Sequence, residues 1–231
     1  MLTLIFLSFP ASAQNITIEA QTPVVVELFS SQACAFCPKA DEIMGDIAKM
    51  RDVIALNCHV DYFDVKEGAL SKPFCTDRQT EYVGMFGGGT HYTPQMVVNG
   101  HMDVIGYQAE KISAALVKGR ADRIDEIDIT RRAEGVFEVS LKPQDLSGRQ
   151  AKLWMATIDK PHRVTIASGA NKGKNMVYAN ILNSLNEQGN WDGTEKRIAV
   201  SPQLTDSQTG FAVFAQDTQT GRMVAAGQFM R

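Results

Sequence analysis

Cys34 and Cys37, separated by Ala35-Phe36, are the side chains in this sequence whose type and spacing most directly suggest chemistry. A thiolate at the first cysteine can attack a disulfide. A second thiol one turn later can then attack the mixed disulfide and release the product. The pair follows a β-branched apolar run at residues 24–29 and opens a helical pattern, which predicts Cys34 at a helix N-terminus. Free N–H groups and the positive end of the helix dipole would stabilise a thiolate there. The same spacing is also half of a zinc site. Cys34 and Cys37 with His59 or Cys58 would offer copper or zinc a soft N/S ligand set, although no second Cys-x-x-Cys completes it.

Thr93-Pro94 is the second candidate element. X-Pro bonds are the ones that readily become cis, and a cis bond would present the Thr93 N–H and C=O for strand-like pairing with an extended substrate backbone. His59 and Asp61 alternate at a strand end and so point the same way. They are candidates to orient one another, to modulate Cys34 or join it in a metal site, or to anchor the following loop.

The elements that must position these groups are legible from pattern. Residues 24–29 and 53–60 read as buried strands. Ala40, Ile43, Met44, Ile47 and Ala48 form one apolar helix face between them. Residues 76–86 read as a helix ended by Gly87-Gly88-Gly89. Residues 95–102 read as a hairpin about Asn99-Gly100, and 109–118 as a closing helix. The order βαβαββα suggests an α/β domain ending near Gly119. Beyond it, strand patterns at 124–130, 136–141, 152–159, 163–167, 197–200, 210–216 and 223–229 suggest a mainly antiparallel β-sandwich-like domain, with one helix-like stretch at 177–188. The expected division is 14–119 and 120–231. Charge shifts at the same place: 8 Lys/Arg against 12 Asp/Glu in residues 24–119, and 15 against 13 after them.

Across 231 residues, 44% are hydrophobic and 21% charged, with a net charge of −3. That balance excludes a disordered chain and a basic nucleic-acid-coating protein. Residues 2–9 are apolar but too short to span a bilayer, and Pro10-Ala11-Ser12-Ala13 supplies a small-x-small cleavage pattern. Residues 1–13 are therefore expected to be a signal peptide, although no Lys or Arg precedes the run. The mature chain is expected to have no membrane span and to lie in an oxidising compartment, periplasmic or secreted.

Several stretches together resemble the thioredoxin superfamily, and more closely a secreted thioredoxin-like family known as domain of unknown function 1223. They are residues 25–34, Cys37-Pro38 with Ala40-Asp41, His59-Val60-Asp61-Tyr62 with Asp64, and residues 92–100. Residues 169–193, with Asn180 and Trp191-Asp192-Gly193, are similar to the family's second half. The resemblance implies a thioredoxin-like α/β domain followed by a β-rich one, and no established substrate. It also implies that Glu27, as a buried strand carboxylate, takes the proton of Cys37. Cys58 and Cys75 stand where the family is expected to have other residues. Of three connectivities, Cys34–Cys37 with Cys58–Cys75 is the simplest, the second bridge being either a staple or a relay to the first. The leading expectation is a thiol–disulfide oxidoreductase acting on a protein or small-molecule disulfide, without a cofactor, with a redox partner protein. A metal-handling protein and a non-enzymatic binding module are the alternatives.

Overall fold

Residues Val24–Ser30 (β1) are apolar at nearly every position because both faces of this strand are covered. The computed structural model describes residues 22–63 and 70–231. The expected signal peptide at residues 1–13, and Asp64, lie outside them. After β1 come helix α1 (Cys37–Ile47), β2 (Val53–His59), α2 (Pro73–Met85), β3 (Gln95–Val98), β4 (Met102–Ile105) and α3 (Ala109–Ala121). The strands form one sheet in the order β2-β1-β3-β4, with β1 parallel to β2 and antiparallel to β3. Asn99 and Gly100 both have positive φ, at 49° and 73°, and make the tight turn between β3 and β4. A Cβ on Gly100 would lie 2.1 Å from the Gly221 carbonyl oxygen, so close approach as well as conformation demands glycine.

The remaining chain runs β5 (Asp125–Glu126), β6 (Asp128–Ala133), β7 (Val136–Leu141), β8 (Ala151–Asp159), β9 (His162–Thr165), a 3₁₀ turn (Gly169–Asn171), β10 (Asn175–Tyr178), β11 (Leu182–Trp191), β12 (Lys196–Val200), β13 (Gln208–Asp217) and β14 (Met223–Met230). Strands β11-β8-β13-β14-β5 form a five-stranded sheet, antiparallel except for the β14–β5 pair. Strands β12-β7-β6 form a three-stranded sheet, and β9 pairs with β10. The five-stranded sheet is the middle layer. Leu153, Val213 and Ala215 pack on Phe137, Val139 and Leu141 of the small sheet. Ala156, Ile158, Ala212 and Phe214 share a second core with Val25, Phe29, Ile54 and Leu56.

This arrangement corrects the expectation of an α/β thioredoxin-like domain followed by a β-sandwich-like domain. Among the described residues the chain is mostly strand, in mixed and antiparallel sheets, with only three α-helices. Helices α1 and α3 cover Val24, Val26 and Leu28 on one face of the first sheet. The opposite face is closed by α2 together with the five-stranded sheet, so its core continues across residue 120. The stretch 177–188 is a second correction: it forms parts of β10 and β11, not a helix. Register shifts at Leu182/Ser184 and Glu187/Asn190 mark irregularities that break the strict alternation of a strand. Val177 lies in β10, Ile181 in the connection and Leu185 in β11, so their helix-like spacing runs across two strands.

The seam between the sheets holds a buried cation. Arg78 of α2 donates through Nε and Nη2 to the two carboxylate oxygens of Glu27, at 3.0 and 3.2 Å. It also donates to Gln216 of β13 at 2.6 Å and to the Tyr82 hydroxyl at 2.8 Å. Tyr82 in turn hydrogen-bonds Glu27. Removing one member of such a pair leaves the other charged and desolvated. Arg78→Ala is expected to lower unfolding stability by roughly 3–5 kcal/mol in urea titration; a loss below about 1 kcal/mol, the size of an ordinary surface change, would show that the seam does not depend on this pair.

Candidate active site

Helix α1 begins at Cys37, with Phe36 as its uncapped N-cap, so Cys34 lies in the preceding turn and not at the helix start itself. The Cys37 N–H donates to the Cys34 carbonyl at 3.2 Å, which folds the turn back on the helix. Both cysteines are free thiols. Cys34 is lowered from the ordinary thiol range to about 6, chiefly by its hydrogen bond with the Cys37 side chain. Burial opposes the shift, while Thr93 and the backbone at Phe36 and Cys37 reinforce it. Cys37 is pushed the other way, first by burial and then by hydrogen bonding to Cys34. The pair is thus divided into a partly accessible sulfur that favours the thiolate and a sealed one that favours the thiol. Cys34 is 7% exposed and Cys37 0%.

Two segments distant in sequence close this turn. The Thr93–Pro94 bond is cis, and the Thr93 carbonyl accepts from the Cys34 thiol at 3.5 Å. From the C-terminal half, the Asn171 side-chain amide donates to the carbonyls of Gln32 at 3.0 Å and Cys34 at 2.6 Å. Lys174 Nζ holds the Asn171 oxygen at 2.9 Å. Gly169, at φ 76°, permits this approach: a Cβ there would sit 2.9 Å from Ala33 Cα. Aromatic side chains surround the turn. Phe36 is 63% exposed and stacks on Tyr107, while Tyr62 packs against Phe63 and His91. Burial raises the Tyr62 hydroxyl to about 12, and the nearby cysteine charges add to that shift.

Two expectations are corrected here, and a third, the Cys58–Cys75 staple, is met. Glu27 does not serve Cys37. It lies with Val25 and Phe29 on the face of β1 turned towards α2 and the five-stranded sheet, where Arg78 holds it, whereas α1 packs on the other face. His59 and Asp61 do not orient one another. Asp61 accepts from Thr76 of α2 at 2.5 Å, whereas His59 sits edge-on to Tyr178 with Nε2 3.7 Å from Asp41. Cys58 and Cys75 form a disulfide sealed in the core beside Phe29, Leu56 and Tyr82, a staple with no exposed sulfur for exchange.

Asp41 is the residue that reading from sequence failed to weigh. It is buried one helical turn after Cys37, accepting from Ser30 Oγ at 2.9 Å and Asn57 Nδ2 at 3.1 Å. A carboxylate at i+4 from Cys37, on the helix face that also carries Ala40 and Met44, is the available signal. Asn171 carried no local signal. The described residues contain no group of three or more His, Cys, Asp or Glu side chains placed to hold a metal ion. No helix among them is long and apolar enough to cross a membrane.

Fold and site together define a β-rich protein in which two thiols of unequal character lie at the end of a mixed sheet. The chain belongs to the family described as protein of unknown function (DUF1223), which it matches over residues 25–216. It is similar to protein AGR_C_4864 from Agrobacterium tumefaciens, whose crystal structure superposes with a TM-score of 0.78 at 25% identity, covering 92% of this chain and 96% of that one. HBP35 of Porphyromonas gingivalis shares the fold alone, with a TM-score of 0.61 at 15% identity over 91% of this chain and 75% of that one. No curated protein matches.

Two measurements check this description. The rate of Cys34 alkylation by iodoacetamide is expected to rise through pH of about 6 and level off above it, because only the thiolate reacts. A midpoint near the free-thiol value of about 8.5 would refute the stabilised thiolate. Replacing both Cys58 and Cys75 by Ala, which opens a loop of sequence separation 17, is expected to cost about 3 kcal/mol in denaturant titration and to leave Cys34 alkylation unchanged.

Proposed function

We propose that this protein carries out thiol–disulfide exchange, with Cys34 as the attacking and Cys37 as the resolving thiol. The observation that carries the reading is the unequal pair: a sulfur near the surface held towards the thiolate, and beside it a sulfur without solvent contact. Cys34 attacks a substrate disulfide, and Cys37 displaces the product from the mixed disulfide. The backbone of Thr93, next to Cys34, pairs with the extended substrate chain. Exposed Phe36 and Tyr107 offer an apolar surface to a protein disulfide beside the reacting sulfur. A redox partner of dithiol or disulfide type resets the pair, and the direction of electron flow follows from its potential relative to that of Cys34–Cys37. A periplasmic or secreted location suits this chemistry, and the buried Cys58–Cys75 bridge favours an oxidising compartment.

Cys34→Ser is expected to abolish exchange with a disulfide-bonded peptide, and Cys37→Ser to trap the peptide as a mixed disulfide visible by mass spectrometry under non-reducing conditions. Undiminished exchange in Cys34→Ser would sink the assignment.

A further inference from the structure

Cys34 sits at the joint of two consecutive turns. Its N–H donates to the Ser31 carbonyl at 3.3 Å and closes the first; its own carbonyl accepts from the Cys37 N–H at 3.2 Å and closes the second. Neither bond sets the angle between the two turns, and that angle directs the Cys34 side chain. The buried Asn171 amide spans both. Its Nδ2 donates to the Gln32 carbonyl of the first turn at 3.0 Å and to the Cys34 carbonyl of the second at 2.6 Å. An amide nitrogen has two protons, so both are used. Lys174 Nζ, at 2.9 Å from Oδ1, fixes which end of the amide faces the turns. The arm that carries Asn171 is closed on itself. The Ile166 N–H donates to the Lys174 carbonyl at 2.9 Å, the Gly173 N–H to the Ile166 carbonyl at 2.8 Å, and the Lys174 N–H to the Asn171 carbonyl at 3.0 Å.

We propose that Asn171 is a positioning residue for Cys34: by bridging the two turns it holds the Cys34 sulfur beside Cys37 and against the Thr93 carbonyl, ready to attack. The inference rests on the thiol-exchange reading above and gives the C-terminal half a part in it. Asn171 acts through the backbone, since its donors go to carbonyls and not to sulfur. The Cys37 side chain and the backbone at Phe36 and Cys37 favour the Cys34 thiolate only while the second turn keeps its shape. Without the amide, the Gln32 and Cys34 carbonyls lose a donor, and the turns relax to recover one. The Cys34 carbonyl is then free to swing towards its own sulfur, where the negative end of its dipole opposes the thiolate. The titratable groups around the turn are Cys37 of α1, Tyr62 of the loop after β2 with His91 against its ring, and Lys174 before β10.

Alkylation of Cys34 by iodoacetamide in the reduced full chain, followed against pH by mass spectrometry, reads the thiolate without any disulfide substrate. Asn171→Ala is expected to raise the midpoint by about 1 in pH, which below the midpoint is roughly a tenfold loss of thiolate. At the same low pH it should attack oxidised glutathione about tenfold more slowly; in that step the bond from Cys34 to one glutathione sulfur forms, the S–S bond breaks and the other glutathione leaves as thiolate. Gly169→Ala, whose Cβ would meet Ala33 Cα at 2.9 Å, should displace the arm and raise the midpoint too. Lys174→Met alters an exposed side chain, leaves the fold intact and is expected to shift the midpoint in the same direction, whereas Lys174→Arg should keep the wild-type value. A merely structural asparagine would lower the melting temperature and leave the midpoint in place. That result in Asn171→Ala would overturn the proposal, as would wild-type midpoints in both Gly169→Ala and Lys174→Met where Asn171→Ala does not fold. Failure of the thiol-exchange reading looks different: the wild type would keep its low midpoint and form no mixed disulfide with glutathione.

Discussion

A guanidinium removed from water is tolerated only where its charge and its donors are matched, and the match for Arg78 ties three parts of the chain together. Glu27 comes from β1, Arg78 from α2 and Gln216 from β13. The face of the guanidinium rests against Tyr82, Trp154 and Phe214 at 4.6 to 5.7 Å from the ring centres. Once α2 is fixed in this way, it fixes other groups. Cys75 on its first turn is bonded to Cys58. Gln79 donates to the Tyr92 carbonyl and to Gln95, the residues on either side of Thr93 and Pro94. The segment that meets Cys34 is therefore anchored through α2 to the same seam as the two sheets.

Much of the site was legible in the sequence because it is local. The Cys34–Cys37 spacing, the strand before it, the Asn99-Gly100 turn and the Thr93-Pro94 step each announce themselves within a few residues. Glu27 shows the limit of such reading. Alternation along β1 groups it with Val25 and Phe29, but which face receives α1 and which receives the second sheet depends on strands more than a hundred residues away. The fold class failed for the same reason. A strand buried on both faces looks alike whether a helix or another sheet covers it, and only the five-stranded sheet decides between them. Residues 177–188 failed because they join the end of β10, a short connection and most of β11, and local periodicity does not show where one strand stops and the next begins.

The four cysteines occupy two environments that share one sheet. Cys58 and Cys75 lie in the core on the α2 side, where the disulfide joins strand to helix. Cys34 and Cys37 lie at the strand end, where the chain leaves β1 for α1. Burial alone does not distinguish them, since Cys37 is as enclosed as Cys75. What differs is the company: aromatic and aliphatic side chains around the bridge, and Ser30, the Ser31 N–H and Asp41 around Cys37. Buried sulfur in an apolar setting is inert, whereas the hydrogen bonds around Cys34 favour its thiolate.

Asn171 follows Cys34 by 137 residues, so the donor that holds the thiol turn is made long after the turn itself. During synthesis from the N-terminus, Cys34, Cys37, Cys58 and Cys75 all emerge before Asn171, and before the sheet that closes the other face of β1 and β2. The finished thiol turn, with its carbonyls capped from the far half, belongs only to the completed polypeptide.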